Sequence, residues 1–197
     1  LFQPEIRRAL EKVGSRSPFI IGRDQSTTMD SAIMQTVFAC EAMSRSRTGA
    51  LIVFERDNRL GEAINSGTIL DAKISSELLR NIFYDKSPLH DGAVIIKDGR
   101  ITAAGCMLPL SSNGNLSRDL GMRHRAALGI SEQTDAVVAI VSEETGAISL
   151  AVDGMLKRHL SQDTFETLLR NELLSDEPAD KPFWKRKKQK GDDHAAK

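Results

Sequence analysis

Several features are scarce in this 197-residue chain, and each scarcity narrows its chemistry. Only two cysteines occur, Cys40 and Cys106, far apart and without a CxxC pair or Cys/His ligand spacing. That argues against a disulfide framework or a thiolate metal site and fits reduced thiols in a cytosolic protein. Net charge is also missing, with 27 Lys and Arg against 27 Asp and Glu, so no overall field recruits nucleic acid. Any charge-driven partner acts through a local patch. No apolar run approaches the about 18 residues needed to cross a bilayer, and the β-like runs are cut by charges, so the chain as given reads as soluble. Because it opens at Leu1 rather than Met, it is expected to be a fragment whose native start, including any membrane segment, has been removed. Internal repeats are absent.

A chain of this length buries roughly 70% of its unfolded surface, enough for one full core. The expected fold is α/β, a single domain with a central mixed β-sheet flanked by helices. Residues 4–13 carry Ile6, Leu10 and Val13 at helical spacing, with Pro4 suited to the first turn. A second helix is predicted from Thr27 or Thr28 to about Arg45, with Ile33, Val37 and Phe38 on one face. After Gly49, the run ALIVF reads as a buried strand. Residues 63–70 read as irregular or strand-like, and Ser75 caps a helix through SELLRNIFY that Ser87-Pro88 ends. Asp98-Gly99 turns a hairpin between strands at 93–97 and 100–108. MRHRAALGI enters a helix from Gly121, AVVAIVS and AISLAV are strands joined by EETG, and a last helix spans about 162–174. Beyond Glu177, the prolines and KRKKQKGDDHAAK read as a basic disordered tail. Phe183-Trp184 beside KRKK also has the character of a contact for an anionic membrane or nucleic acid, although a solvated tail is the simpler reading. The expected divisions are 1–19 as helix and linker, 20–175 as the domain and 176–197 as the tail.

Three short stretches carry chemistry. Asp91 stands where a loop enters a strand, followed by Gly92, which permits close backbone approach, and by small Ala93. Its carboxylate suits either a divalent cation bridging phosphates or the proton of a sugar hydroxyl, with His90 as an adjacent ligand or acceptor. An ordinary Asp-Gly turn beside an exposed histidine explains the same letters. Arg123, His124 and Arg125 arrive at a helix start, where cations oppose the dipole unless an anion binds. Guanidinium forks suit phosphate; the alternative is that an arginine merely pairs with Asp119 or Glu132. Ser142 to Thr145 lie at a strand end before Gly146, where hydroxyls can donate to phosphate and a glutamate can help hold metal, or where a plain hairpin turn suffices.

HDGA at 90–93, GMRHRAALGIS at 121–131 and VSEET at 141–145, in this order with GALIVFE upstream, resemble the diadenylate cyclase family (the DAC or DisA_N domain) over residues 20–174. The opening FQPEIRRALEKVG looks like the membrane-anchored CdaA type, in which such a segment follows transmembrane helices. The resemblance implies condensation of two ATP into cyclic di-AMP, a bacterial second messenger, with release of two pyrophosphates. It implies Mg²⁺ or Mn²⁺, with Co²⁺ as a further choice, and a place on the cytoplasmic side of the cell membrane through an absent N-terminal region. Carried over by position, Asp91, Arg123, His124 and Arg125 are catalytic. Gly92, Ala93, Met107, Leu108, Met122, Ser142 and Glu144 bind nucleotide, and Asp91 and His90 hold metal. Met122 stands where the family often has Thr, which removes a hydroxyl contact to phosphate.

Cyclic di-AMP contains two equivalent linkages, whereas one DGA and one RHR occur in the chain. Two chains must therefore meet face to face as a homodimer. Regulatory protein partners are a further expectation of the family, and nucleic acid is not an expected partner. The competing readings are a regulatory module that senses ATP or a cyclic dinucleotide without turnover, a nucleic-acid binder acting through the tail, and a metal-dependent phosphohydrolase.

Overall fold

The computed structural model describes residues 18–114 and 120–174, with side chains from residue 28 onward. The expected helix at 4–13, the tail from residue 177 and Asp119 lie outside the described residues. A seven-stranded mixed sheet runs through the fold in the order β2-β4-β3-β1-β5-β6-β7. Its strands are β1 (Ala50–Phe54), β2 (Thr68–Lys73), β3 (Ala93–Lys97), β4 (Arg100–Cys106), β5 (Val137–Val141), β6 (Ile148–Val152) and β7 (Met155–Leu160). The β1–β3 pair is parallel and the other neighbouring pairs are antiparallel.

The central strands β1, β5 and β6 are buried at every residue because helices cover both faces, which is why they are written as unbroken apolar runs. Alternation still sorts their side chains. Ala50, Ile52 and Phe54 join one core with Ile33, Val37 and Phe165, beneath helices α1 (Pro18–Ser46), α3 (Ser76–Ile82) and α5 (Gln162–Leu173). Leu51 and Val53 join the opposite core with Ala127 and Ile130 of α4 (Met122–Gln133), near the short α2 (Gly61–Ser66). Fully burying a Leu or Ile contributes roughly 1.5–3 kcal/mol, so these two layers hold the sheet rigid behind whatever its ends carry.

Local signals set several boundaries. Ser75 Oγ accepts from Leu78 N at 3.1 Å and Ser161 Oγ from Thr164 N at 3.3 Å, capping α3 and α5. Asp98 and Gly99 both have positive φ, 49° and 71°, as a two-residue hairpin turn of the primed type requires.

Five features differ from the expectations. The helix predicted from Thr27 or Thr28 begins at Pro18 and passes through those threonines. Hydroxyls that read as caps can instead bond back along a helix, as Thr36 Oγ1 does to Ala32 O at 2.9 Å. Residues 63–70 split into the end of α2 and the start of β2. No residue of α2 is buried, and β2 is an exposed edge with a bulge between Ile69 and Ala72, so neither has apolar periodicity to announce it. The opposite edge, β7, went unpredicted because MLKRHL is charged and only partly covered, as edge strands tend to be. The helix through SELLRNIFY ends at Ile82, and β4 stops at Cys106 rather than Leu108. No described helix is long and apolar enough to cross a membrane.

Candidate active site

Strand register places the motifs at one end of the sheet. Val94 lies opposite Ile52 in the parallel pair, and Ala50 opposite Val141 in the antiparallel pair. The entry to β3, the entry to β1 and the exit from β5 therefore share an edge, with β3 and β5 about 10 Å apart on either side of β1. Asp91 precedes β3, Gly49 precedes β1 and Ser142 follows β5.

Asp91 is exposed. Gly92 has φ +115°, and a Cβ there would lie 2.7 Å from Gly105 C and 2.8 Å from Cys106 O. The close approach that Gly92 permits is thus that of strand β4, which clamps the turn and aims the carboxylate outward. Ala93 is fully buried, paired with Cys106, and belongs to the core behind the turn. His90 Nδ1 lies 2.6 Å from Ser87 O. A proton on Nδ1 satisfies that carbonyl and leaves Nε2 as the ring's acceptor or ligand atom. Met107 is 76% exposed, its amide held by Ser66 Oγ at 2.9 Å, while Leu108 is half-buried against the α4-side core.

The three residues of the RHR motif part company. Arg123 forms an ion pair with Glu143; its side chain is 22% exposed against 62% for the glutamate. His124 is buried, with Nε2 3.4 Å from Ser149 Oγ on β6. Arg125 is exposed, two positions and about 200° around the helix from Arg123. Of the alternative pairings, Arg123 takes Glu143 rather than Glu132, which accepts from Ser111 Oγ at 2.6 Å, and Asp119 lies outside the described residues.

Gly121 caps α4 without a side-chain hydrogen bond, and no acid occupies its first turn. Backbone N–H groups at that end favour an anion. A cavity of about 320 Å³ opens there, lined by Met122, Arg123, Ser142, Glu144, Thr145 and Arg158 among others. Met122 is 66% exposed at its rim. Hydroxyls, guanidinium groups and a helix terminus around one cavity suit a phosphate chain, and the carboxylates of Glu143 and Glu144 suit a cation beside it.

The family model described as "DisA bacterial checkpoint controller nucleotide-binding", abbreviated DAC, matches residues 37–156. The chain belongs to the DAC family. The DAC match contains every motif just placed. Cyclic di-AMP synthase CdaA from Bacillus subtilis is 45% identical over 196 residues, spanning 95% of this chain and 70% of that protein. A diadenylate cyclase from Listeria monocytogenes is 47% identical over 180 residues, spanning 89% of this chain and 64% of that protein. The crystal structure of a double mutant of DacA from Staphylococcus aureus superposes with a TM-score of 0.72 at 47% identity, covering 74% of this chain and 97% of that one.

Three residues around this site are not singled out by the sequence reading. Gly49 introduces β1 and opens the GALIVFE stretch. A Cβ on it would lie 2.6 Å from Arg123 Nη1 and 2.9 Å from Glu143 Oε2, so the ion pair occupies the space of its missing side chain. Gly129, inside α4, would carry a Cβ 2.7 Å from Leu110 C and Ser111 N. It lets the segment after β4 cross the helix, where Ser111 N donates to Arg125 O at 3.0 Å. A glycine in a helix interior is the signal that marks such a crossing. Arg158 sits on the unpredicted β7, and nothing in its neighbours' identity pointed to the site. Cys106, although close to Gly92, is buried, which pushes its thiol up to about 11; Cys40 is pushed up to about 12. Neither thiol is a nucleophile at neutral pH.

Proposed function

We infer that this chain is a diadenylate cyclase, joining two ATP into cyclic di-AMP with release of two pyrophosphates. The observation that carries this reading is the gathering of Asp91, Arg123 and the 142–145 turn along one sheet end in a chain of the DAC family. Residues 20–175 form the catalytic domain on this reading.

Adenine rests against Met107 and Leu108, and the ribose lies by Asp91, with Gly92 and Ala93 shaping the turn beneath. The phosphates lie toward Arg123, Ser142 and the N-terminus of α4, with Met122 at the rim and Arg125 reaching the nucleotide from the outer face of the helix. His124, held at Ser149, orients the first turn that presents both arginines. The 3′-hydroxyl proton passes to the Asp91 carboxylate and on to water. The 3′-oxygen forms a bond to the α-phosphorus of the second ATP, the bond from that phosphorus to the β-bridging oxygen breaks, and pyrophosphate leaves. The same step in the opposite direction closes the ring. One such site per chain and two linkages per product require two chains facing each other. Placing two nucleotides in line supplies up to roughly 7–11 kcal/mol of the barrier reduction.

The donor set fits a divalent metal. Asp91, His90 Nε2 and Glu144 are oxygen and imidazole donors on this edge. No three His, Cys, Asp or Glu cluster as a closed metal cage among the described residues. Mg²⁺ and Mn²⁺ need no such cage, since one or two carboxylates plus phosphate oxygens and water complete their shell; Co²⁺ accepts the same donors. When bound, the cation neutralises charge on the reacting phosphates.

The test is chromatography of products after incubation with ATP and Mn²⁺ or Mg²⁺ across protein concentrations, with Asp91→Asn alongside. Cyclic di-AMP that rises more than linearly with protein and disappears in the variant is the expected result. ATP binding with no product under any condition would favour a non-catalytic sensor, and no ATP binding would overturn the nucleotide reading.

A further inference from the structure

The cavity at the head of α4 has a second guanidinium that no motif accounts for. Arg158 lines it from β7, across the 142–145 turn from Arg123. Its direction follows from strand alternation: Leu156, two residues earlier, packs into the α4-side core, and Arg158 shares that face. The register shift between β6 and β7 falls across Arg158 and His159, between the pairs Leu150–Lys157 and Ile148–Leu160; His159 absorbs it with a positive φ of 56°, and Arg158 faces the cavity it lines.

We propose that Arg158 grips the terminal phosphates of ATP, the part that departs as pyrophosphate, and thereby sets the preference for a triphosphate over a monophosphate. The proposal rests on the cyclase reading and deepens it. The order along the sheet edge is Asp91 at β3, Arg123 in front of β1, the hydroxyl turn after β5, then Arg158 at β7. A nucleotide with its ribose at Asp91 and its first phosphate at Arg123 directs the rest of its chain past Ser142 and Thr145 toward β7. The far end of that chain carries the most charge, and Arg158 is the cation the cavity offers there. Arg123 and Arg158 together give this cavity a guanidinium on either side of the 142–145 turn. An arginine fork matches two phosphate oxygens at once, which a lysine cannot do.

The experiment is calorimetric titration of the 197-residue chain with AMP and with an ATP analogue whose α–β bridge is methylene, so that no turnover occurs, for wild type, Arg158→Ala and Arg158→Lys. Arg158→Ala is expected to weaken the ATP analogue about 10- to 100-fold, the loss of a charge-assisted contact, while AMP changes less than about twofold. Arg158→Lys, which keeps the stem and the charge, recovers part of the loss and serves as the folded control. An unchanged ratio of analogue to AMP affinity in both variants, or an equal loss of both ligands, would overturn the assignment of Arg158 and leave the cyclase reading standing. A wild-type chain that binds neither ligand would remove the cyclase reading itself, and the proposal with it.

Discussion

Replacing Gly49 by alanine separates the geometry of the phosphate cation from the stability of the fold. Gly49 is not among the positive-φ glycines, so alanine suits its backbone, and the added methyl has only a space problem. That methyl would sit 2.6 Å from Arg123 Nη1, where ordinary contacts begin at 3.4 Å. The guanidinium must retreat by about 0.8 Å, and a misplacement near 1 Å at a reacting site can lower rate by about 100-fold. The fold has little at stake, because the obstructing atoms are ends of flexible side chains. A loosened, partly exposed ion pair costs about 0.2–1 kcal/mol, and Gly→Ala returns about 0.4–1 kcal/mol through the unfolded chain. Stability should therefore stay within about 1 kcal/mol, a melting shift of a few degrees, while kcat/KM for cyclic di-AMP formation falls about 10- to 100-fold. Gly61→Ala, with nothing within 4 Å of its added methyl, is the matched control. Full activity in Gly49→Ala at wild-type melting temperature would refute the placement of Arg123, and parallel loss of activity and stability would show the glycine to be structural.

Other substitutions probe neighbouring contacts. Glu143→Gln removes the charge that competes for Arg123, and ATP-analogue affinity measured by calorimetry should rise about two- to fivefold, the worth of one exposed pair. Gly129→Ala drives a methyl into backbone at Leu110 and Ser111 and should cost at least about 1–3 kcal/mol in denaturant unfolding. Because burial raises the thiols to about 12 at Cys40 and about 11 at Cys106, iodoacetamide at pH 8 should label neither until the chain is unfolded. The sign for stability follows: both groups stay protonated in the fold while unfolded thiols ionise from about 9.0, so stability declines as pH rises from that value toward 11 and 12 in alkaline unfolding.

The parts of the fold legible in advance were those that local chemistry dictates. ALIVF reads as a buried strand, AVVAIVS and AISLAV as strands, Asp98-Gly99 as a hairpin turn and Ser75 as a helix cap, and each stands so in the fold. The exposed α2 and the edge strand β7 were not legible, and the edge strand β2 only as a loosely strand-like stretch, because half-covered segments lack the apolar period that burial imposes.

The site divides along the same line. By itself the sequence determined which groups are available, an Asp-Gly turn, two arginines at a helix start and a hydroxyl-rich strand end, since residue type and helix or strand position fix charge and donor character. Their company was decided only by tertiary structure. Parallel pairing of β1 with β3 and antiparallel pairing of β1 with β5 bring residues 49, 91 and 142 to one edge, and no local rule sets that order. Packing also assigned His124 to the interior, gave Arg123 to Glu143 across the gap left by Gly49, and brought Arg158 in from an edge strand. Each of these depends on contacts between segments distant along the chain, whose register is chosen by how the two cores close around the sheet.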